Sequence, residues 1–417
     1  MNILTFTTLW PNAEQPNFGV FVKHRVAALA KLDGVNVRVV APVPYSPKAG
    51  RLLPRAVLTR LPEHWRQLAG VPEQEVIDGL PTFHPRYLVT PKVGMSFYGN
   101  WMARGAFETV RRLHAEKPFD LPIDLIDAHY AYPDGYAAVL LGERLKIPVF
   151  ITARGTDINL FSRMPLIRPK IVKALSRAAG IIAVSEALKT RMVELGIPAE
   201  KIAVIRNGIN REVFRPRDRN EARRRLGLDP EDRILLTVAA LVPVKGIDRL
   251  IEAMALLTRA QRENRRHENQ LKLFAIGEGS ERRALESQIS NLKLGSCVRL
   301  VGAKPQSELA DWYSAADLFC LASHREGCPN VLIEAMACGL PVVAANVGGV
   351  AELISSPNRG HLVSPPTAEN FEVEIRAALS AVRKSEDVTS FGNAPSWSEV
   401  AAEVKSYFAA NGNFAKD

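Results

Sequence analysis

The sequence predicts an α/β protein built from two doubly wound, Rossmann-like domains. Three observations carry that expectation. The chain has 417 residues, more than a single hydrophobic core normally organises. From residue 234 onward, short apolar runs alternate with helix-length segments in regular order, which is the pattern of a parallel sheet covered by helices. Composition is 47% hydrophobic and 24% charged, ordinary for a globular α/β chain and unlike a disordered or membrane-spanning one.

Taken in order, residues 3–8 predict a first strand and 9–18 a long loop. Gly19 then opens a helix, in a position where a glycine either eases a turn or lets backbone approach a ligand. Residues 35–41 predict the next strand. Residues 42–100 read as irregular and proline-rich, and within them Arg51, Arg55, Arg60, His64 and Arg66 interleave with Leu52, Leu53, Val57, Leu58, Leu61 and Trp65. That mix is either a basic amphipathic element for a surface or a solvated helix packed on its own domain. A second basic helix is expected over 101–117. Residues 125–128 predict a strand ending at His129, so that this histidine sits at the carboxyl edge of a parallel sheet, where ligands bind. Residues 148–152 predict another strand, followed by Ala153-Arg154-Gly155-Thr156-Asp157, in which Arg154 suits a phosphate and Asp157 suits a cap. Strands over 181–184 and 202–205 complete this half. Gly208, after Arg206 and Asn207, allows an unusual backbone turn, and 217–225 reads as a charged linker with helix character.

The second half predicts strands at 234–241, 271–276, 298–302, 318–322 and 341–345, with helices at 247–257, 281–292, 306–315 and 367–380 between and after them. The turn Pro243-Val244-Lys245-Gly246 follows the first of these strands. The densest stretch is Ser323 to Gly339, S-H-R-E-G-C-P-N-V-L-I-E-A-M-A-C-G. Pro329 suits the first helical position, Gly339 ends that helix and Pro341 forbids its continuation. Backbone N–H groups at Asn330, Val331 and Leu332 then make an anion site. Glu326 and Glu334 flank it, with Glu334 roughly 8 Å along the axis from Pro329 at 1.5 Å per residue. A ligand with hydroxyl groups at each end and phosphates between them, a nucleotide sugar, fits that layout. The last helix, over 396–408, is amphipathic, with Ser396 or Ser398 as its cap.

The spacing Glu326, seven residues, Glu334, inside E-G-x-P-N and E-A-M-A-C-G, resembles the paired-glutamate motif of the retaining family-four glycosyltransferases, which have the GT-B fold. That resemblance implies two Rossmann-like domains facing a cleft, here residues 1–210 and 211–395, with 396–417 returning to the first. It implies that Glu326 and Gly327 meet the donor sugar, that Glu334 holds the ribose, and that Lys245 binds the diphosphate, since V-P-V-K-G resembles the family's V-P-x-K-G. It further implies that His129 faces the reacting sugar and that Gly19 approaches the diphosphate. The family's usual arginine a few residues before the lysine is absent, since Ala239, Ala240 and Leu241 stand there. Arg154, in the place of a family histidine, or Arg206 is expected to supply that charge. The opening N-I-L-T-F-T-T-L-W-P-N with F-G-V-F-V resembles the bacterial surface-polysaccharide branch, the teichuronic-acid type among it.

Charge narrows the partners. Residues 1–212 hold 28 Lys and Arg against 18 Asp and Glu, whereas 213–417 hold 26 of each. The whole excess of +10 therefore lies in the first half. No aromatic-and-basic motif accompanies it, so nucleic acid is not expected. An anionic membrane surface or a phosphate-bearing, lipid-linked or glycan acceptor is. The start, MNILTFTTLW, has no basic region before its apolar run and reads as a strand, not a leader. No run of 18 apolar residues occurs. Four cysteines without paired short spacing point to free thiols in a reducing cytosol. No Asp-x-Asp pair occurs, so neither a divalent metal nor any cofactor beyond the nucleotide-sugar co-substrate is expected. The expectation is a cytoplasmic hexosyltransferase, peripheral at the inner face of the plasma membrane. The competing readings are a non-catalytic nucleotide-sugar-binding protein, a sugar-nucleotide epimerase of the same fold, or a nicotinamide-dependent dehydrogenase. The last lacks G-x-G-x-x-G after the first strand.

Overall fold

The computed structural model describes residues 1–45, 68–90, 94–115, 122–263, 270–354, 360–382 and 394–412. The chain forms two compact units, residues 1–208 with 397–417, and residues 209–396.

In the first unit the strands are β1 (Asn2–Phe6), β2 (Asn36–Val40), β3 (Val43–Tyr45), β4 (Gln74–Ile77), β5 (Leu80–Phe83), β6 (Arg86–Leu88), β7 (Leu125–His129), β8 (Val149–Ala153), β9 (Gly180–Ala183) and β10 (Ile202–Val204). Eight of them make one sheet in the order β10-β9-β8-β7-β1-β2-β5-β4, parallel except for the antiparallel edge strand β4. β1, β7 and β8 are buried along their whole length, as a sheet with helices on both faces requires.

Strands β3 to β6 correct the expectation of irregular chain over 42–100. β5 extends the main sheet, and β3 pairs with β6 as a separate parallel ribbon. The strands are three or four residues long, two contain a proline, and β4 is partly or wholly exposed along its length. Edge strands of that kind leave no continuous apolar run to read. The basic stretch from Arg51 to Arg66 lies outside the described residues. The second basic helix runs over Tyr98–Ala115.

The last helix, Trp397–Asn411, belongs to the first unit. Val400, Val404 and Phe408 join Val22, Val26 and Leu29 of the helix Val20–Ala30 in one core. The Tyr407 hydroxyl accepts from the Ile181 N–H at 3.0 Å and donates to the Lys201 carbonyl at 2.9 Å. It thereby ties this helix to β9 and to the residue before β10.

The second unit holds β11 (Arg233–Val238), β12 (Leu271–Ile276), β13 (Val298–Gly302), β14 (Leu318–Leu321), β15 (Val342–Ala345) and β16 (His361–Val363), all parallel, in the order β13-β12-β11-β14-β15-β16. Alternate side chains go to opposite faces. Leu235, Leu273, Cys320 and Val343 pack with the helices Ile247–Glu263, Arg282–Asn291 and Ala368–Val382. Leu236, Phe274, Phe319 and Val342 pack with Gln306–Ala315 and Asn330–Ala337. The charged stretch 217–225 is not a linker. It forms the helix Arg219–Leu226, capped by Asp218 on the Glu221 N–H. Its Arg223 is buried, donating to the Ala315 carbonyl at 2.9 Å and to Asp317 at 2.8 Å.

In each sheet the strand order reverses beside the first strand, between β1 and β7 and between β11 and β14. The carboxyl ends of strands at such switch points are where open α/β sheets bind ligands.

Candidate functional site

In the second unit the switch point is built by two loops. The turn Pro243–Lys245 is closed by Gly246 at φ +61°, where a Cβ would stand 2.2 Å from the Ala322 carbonyl oxygen. Only glycine lets the two chains approach so closely. The His324 N–H donates to the Val244 carbonyl at 2.8 Å. This docking brings Lys245 Nζ to 2.6 Å from Glu326 Oε1, with 26% of the lysine and 9% of the glutamate side chain exposed. Gly327 is buried beside them.

The helix that follows is Asn330–Ala337, so Pro329 stands at its cap, one place earlier than expected. The Leu332 and Ile333 N–H groups donate to the Pro329 carbonyl at 3.1 and 3.4 Å. Leu332 is therefore not one of the open donors anticipated from sequence, and its side chain lies wholly in the core. The N–H groups that precede this ladder are those of Asn330 and Val331. Gly339, at φ +79°, stands just past the helix.

Glu334 is buried on this helix and accepts from the Tyr313 hydroxyl at 2.9 Å. Burial pushes its carboxyl up to about 7, and the Tyr313 hydrogen bond only partly opposes that. Tyr313 itself is held well above the ordinary phenol range, by burial first and by the Glu334 charge second. Tyr313 was not singled out in the sequence. Its one signal is a phenol among the inward-facing residues of an otherwise apolar helix face, where a hydroxyl needs a partner.

In the first unit His129 ends β7 with no exposed surface. Arg154 Nη2 donates to His129 Nδ1 at 2.7 Å. A guanidinium only donates, so Nδ1 is an acceptor and the proton of the neutral ring is on Nε2. Nε2 stands 3.2 Å from Asp127 Oδ2, close enough for charge and dipole to interact but without hydrogen-bond alignment. Burial lowers His129 to about 4, opposed by Asp127 and reinforced by Arg154. Burial would raise Asp127, but the His129 and Arg25 charges overcome it and bring the carboxyl down to about 2. Arg25 Nη1 donates to Thr152 at 2.9 Å, and Nη2 lies 3.3 Å from Asp127. Arg154 Nη1 donates to Asn207 Oδ1 at 2.8 Å. Asp157 does more than cap a turn: it accepts from the Ala131 and Gly155 N–H groups, both at 2.8 Å, and so joins the ends of β7 and β8.

Sequence reading named His129 and Arg154 but missed Arg25, Asp127 and Asn207. A carboxylate inside the apolar strand Leu-Ile-Asp-Ala-His was the available signal, because a fully buried acid needs a cation. Gly19 sits at φ +64° with its absent Cβ 2.4 Å from the Leu9 carbonyl, so the fold itself demands glycine there. Arg206 is exposed. The position of the missing family arginine is a backbone turn: the Ala239 N–H donates to the Ile276 carbonyl at 3.0 Å and the Leu241 N–H to that of Glu278 at 2.9 Å.

Two parallel sheets of one winding, each with charged groups at its switch point, are the architecture of the GT-B transferases. Comparison with known proteins narrows this further. Residues 19–213 match the model of Glycosyltransferase Family 4, and residues 218–393 that of Glycosyl transferases group 1. The chain is 31% identical over 373 residues to TuaC of Bacillus subtilis (strain 168), a teichuronic acid biosynthesis glycosyltransferase by name, covering 88% of this chain and 87% of that one. Among solved structures it is similar to a sucrose-phosphate synthase from Thermosynechococcus elongatus, with a TM-score of 0.74, 20% identity and 98% of each chain covered. It is also similar to Anabaena HepE in complex with UDP, with a TM-score of 0.69, 20% identity, and 98% of this chain and 100% of that one covered. The chain belongs to the family-four glycosyltransferases, retaining enzymes that use a nucleotide-sugar donor.

Proposed function

We propose that this enzyme moves a hexosyl group from a nucleoside-diphosphate sugar to a glycan or lipid-linked acceptor in the assembly of a surface polysaccharide. The observation that carries the donor assignment is the Lys245–Glu326 pair, 2.6 Å apart and partly exposed at the β11/β14 switch point. A cation there, held by one carboxylate, is ready to exchange that partner for a phosphate. Lys245 then stabilises the departing diphosphate as the glycosidic bond breaks, and Glu326, released, accepts hydrogen bonds from sugar hydroxyls beside Gly327. The Asn330 and Val331 N–H groups add the positive end of the helix dipole, and Glu334 takes the ribose hydroxyls. On the first unit, Gly19, Arg154 and Arg206 are assigned to the diphosphate. His129, with no surface of its own, acts through Arg154: it accepts from Nη2 and so aims the guanidinium. Cationic side chains do the work that a metal does elsewhere.

The HepE structures with UDP and with UDP-glucose make uridine nucleotides the first to try. Calorimetric titration of wild type and Lys245→Ala with UDP and other nucleoside diphosphates tests the assignment. Affinity is expected to fall in the variant, and unchanged affinity would move the phosphate to Arg154 or Arg206.

The acceptor assignment draws on the likeness to TuaC and on the charge step between the halves. The same charge supports peripheral docking to an anionic membrane, at about 1 kcal/mol for each basic residue near the leaflet. Among the described residues no helix is long and apolar enough to cross a membrane. Flotation with anionic liposomes should weaken with salt and with Arg51, Arg55 and Arg60 changed to Glu. Absence of flotation at low salt would end the membrane reading and leave the transferase intact.

A further inference from the structure

The first unit contains a cavity that the donor chemistry does not use. It has a volume of about 150 Å³ and lies at the carboxyl ends of β1, β2 and β5, beside the switch point. Its wall is the loop between β1 and the helix Val20–Ala30, which contributes Thr8, Trp10, Asn12, Gln15 and Phe18, together with Tyr87 from β6. That loop ends at Gly19, so the cavity and the glycine assigned to the diphosphate share one piece of chain. The loop is ordered by its own bonds: Asn12 Oδ1 accepts from the Glu14 and Gln15 N–H groups at 3.1 and 2.9 Å. The Phe18 N–H donates to the Gln15 carbonyl at 3.1 Å.

We propose that this cavity takes the terminal sugar ring of the acceptor, and that this ring is an uncharged pyranose. The inference rests on the transferase reading and adds the acceptor class to it. Size sets the first limit, because a cavity of this volume is roughly what one six-membered ring occupies. Chemistry sets the second. Phe18, 45% exposed at the rim, gives flat apolar surface for the C–H face of a sugar, with the largely buried rings of Trp10 and Tyr87 in the wall behind it. Hydroxyl and amide groups on Thr8, Asn12 and Gln15 can meet its hydroxyls, the mixture of apolar wall and few polar groups typical of a specific pocket. Trp10 is 1% exposed, and among the described residues its indole N–H has no acceptor. A buried donor left without a partner is uncommon in a free-standing core. Burial and the nearby Asp134 carboxylate hold the Tyr87 phenol above its usual range, so it stays a hydroxyl.

Charge sets the third limit. Among the described residues no Lys, Arg, Asp or Glu lines the cavity. His84, on its wall, has Nδ1 on the Ala41 carbonyl at 2.9 Å and Nε2 on Glu75 at 2.7 Å. Both nitrogens are occupied within the protein. A uronate or phosphate entering here would lose water and meet no Lys or Arg side chain among the described lining residues. A bare acyl chain would strand the amide and hydroxyl groups.

The test is saturation-transfer NMR on the full chain without nucleotide, using methyl glycosides of glucose, galactose, mannose and N-acetylglucosamine. Methyl glucuronide and glycerol 3-phosphate serve as charged comparators. At least one neutral glycoside is expected to bind, with both charged probes about tenfold weaker or absent. Phe18→Ala, at an exposed position, and Gln15→Ala should each lower glycoside affinity about fivefold. Failure of every neutral glycoside, equal binding of a charged probe, or binding indifferent to both variants overturns the proposal. UDP calorimetry on the same proteins keeps the two readings apart. UDP affinity should be the same in wild type and both variants, and a wild type blind to every nucleoside diphosphate would fail the donor assignment alone.

Discussion

The two switch points share one winding and treat charge in opposite ways. In the first unit Arg25, Asp127 and His129 have 0–3% of their side chains exposed and lie within ion-pair distance, both Arg25 and His129 against Asp127, and Arg154 spends its two terminal nitrogens on His129 and Asn207. In the second unit Lys245 keeps 26% of its side chain exposed and pairs with Glu326. Charges shut away from water must be matched inside the protein, and removing one partner is destabilising. A partly exposed pair has water as a standing competitor and holds more loosely. The first cluster therefore holds strand ends in place, while the second can trade its partner for a ligand.

The largest expected effect breaks the first cluster. Asp127→Ala leaves Arg25 buried against no carboxylate and should destabilise the protein by about 3–5 kcal/mol. Lys245→Ala should change stability by only about 0–1 kcal/mol. Urea denaturation of both measures the contrast, and equal losses would mean that the two clusters do the same job.

Ligand affinity should rank the residues the other way. Lys245→Ala and Glu334→Ala should each weaken UDP binding by about 1.5–3 kcal/mol, since each removes a hydrogen bond to a charged group. His129→Gln should weaken UDP binding less than Lys245→Ala does and lower turnover, because it reaches the diphosphate only through the aim of Arg154. Calorimetry and transfer assays on folded variants separate these outcomes. A His129 variant with wild-type turnover would reduce that residue to structure.

A smaller effect sharpens the contrast through pH. The Glu334 carboxyl, raised from 4.5 to about 7 by burial, is preferentially protonated in the folded protein. Its contribution to stability is thus full below about 4.5 and is lost as pH rises through about 7. The sign for binding is the reverse, because ribose hydroxyls donate to the carboxylate and favour its charged form. UDP affinity should rise between pH 6 and 8 by up to about tenfold, one pH unit being worth 1.36 kcal/mol. Glu334→Gln supplies the baseline for the titration of the diphosphate itself. A slope identical in wild type and Glu334→Gln would remove Glu334 from the ribose.

Much of the fold was legible because its signals are local. The strands of the second unit are apolar runs bounded by glycine and proline, and their expected limits fall within a few residues of β11 to β15. β16, three residues of which only Val363 is buried, offered no such run. In the candidate site the helix after Pro329 and its stop at Gly339 were readable from cap chemistry alone. The loss of Leu332 as a donor was not, since it depends on where the Pro329 carbonyl points. The ribbon β3–β6 and the antiparallel β4 went unread because strands of three or four residues are stabilised by what they pair with, not by their own pattern.

The sequence by itself determined the family, the double parallel winding and the neighbourhood of Glu326 and Glu334, all encoded in residues a few positions apart. Tertiary structure alone decided which charges meet. Arg25 and Asp127 are 102 positions apart and Lys245 and Glu326 are 81 apart, and each pair forms only because the strand order brings segments distant in sequence together. Tertiary structure also decided that His129 is buried and that Lys245 is not. Exposure belongs to the packed whole: it depends on how much protein covers a strand end, and that cover comes from elements remote in sequence.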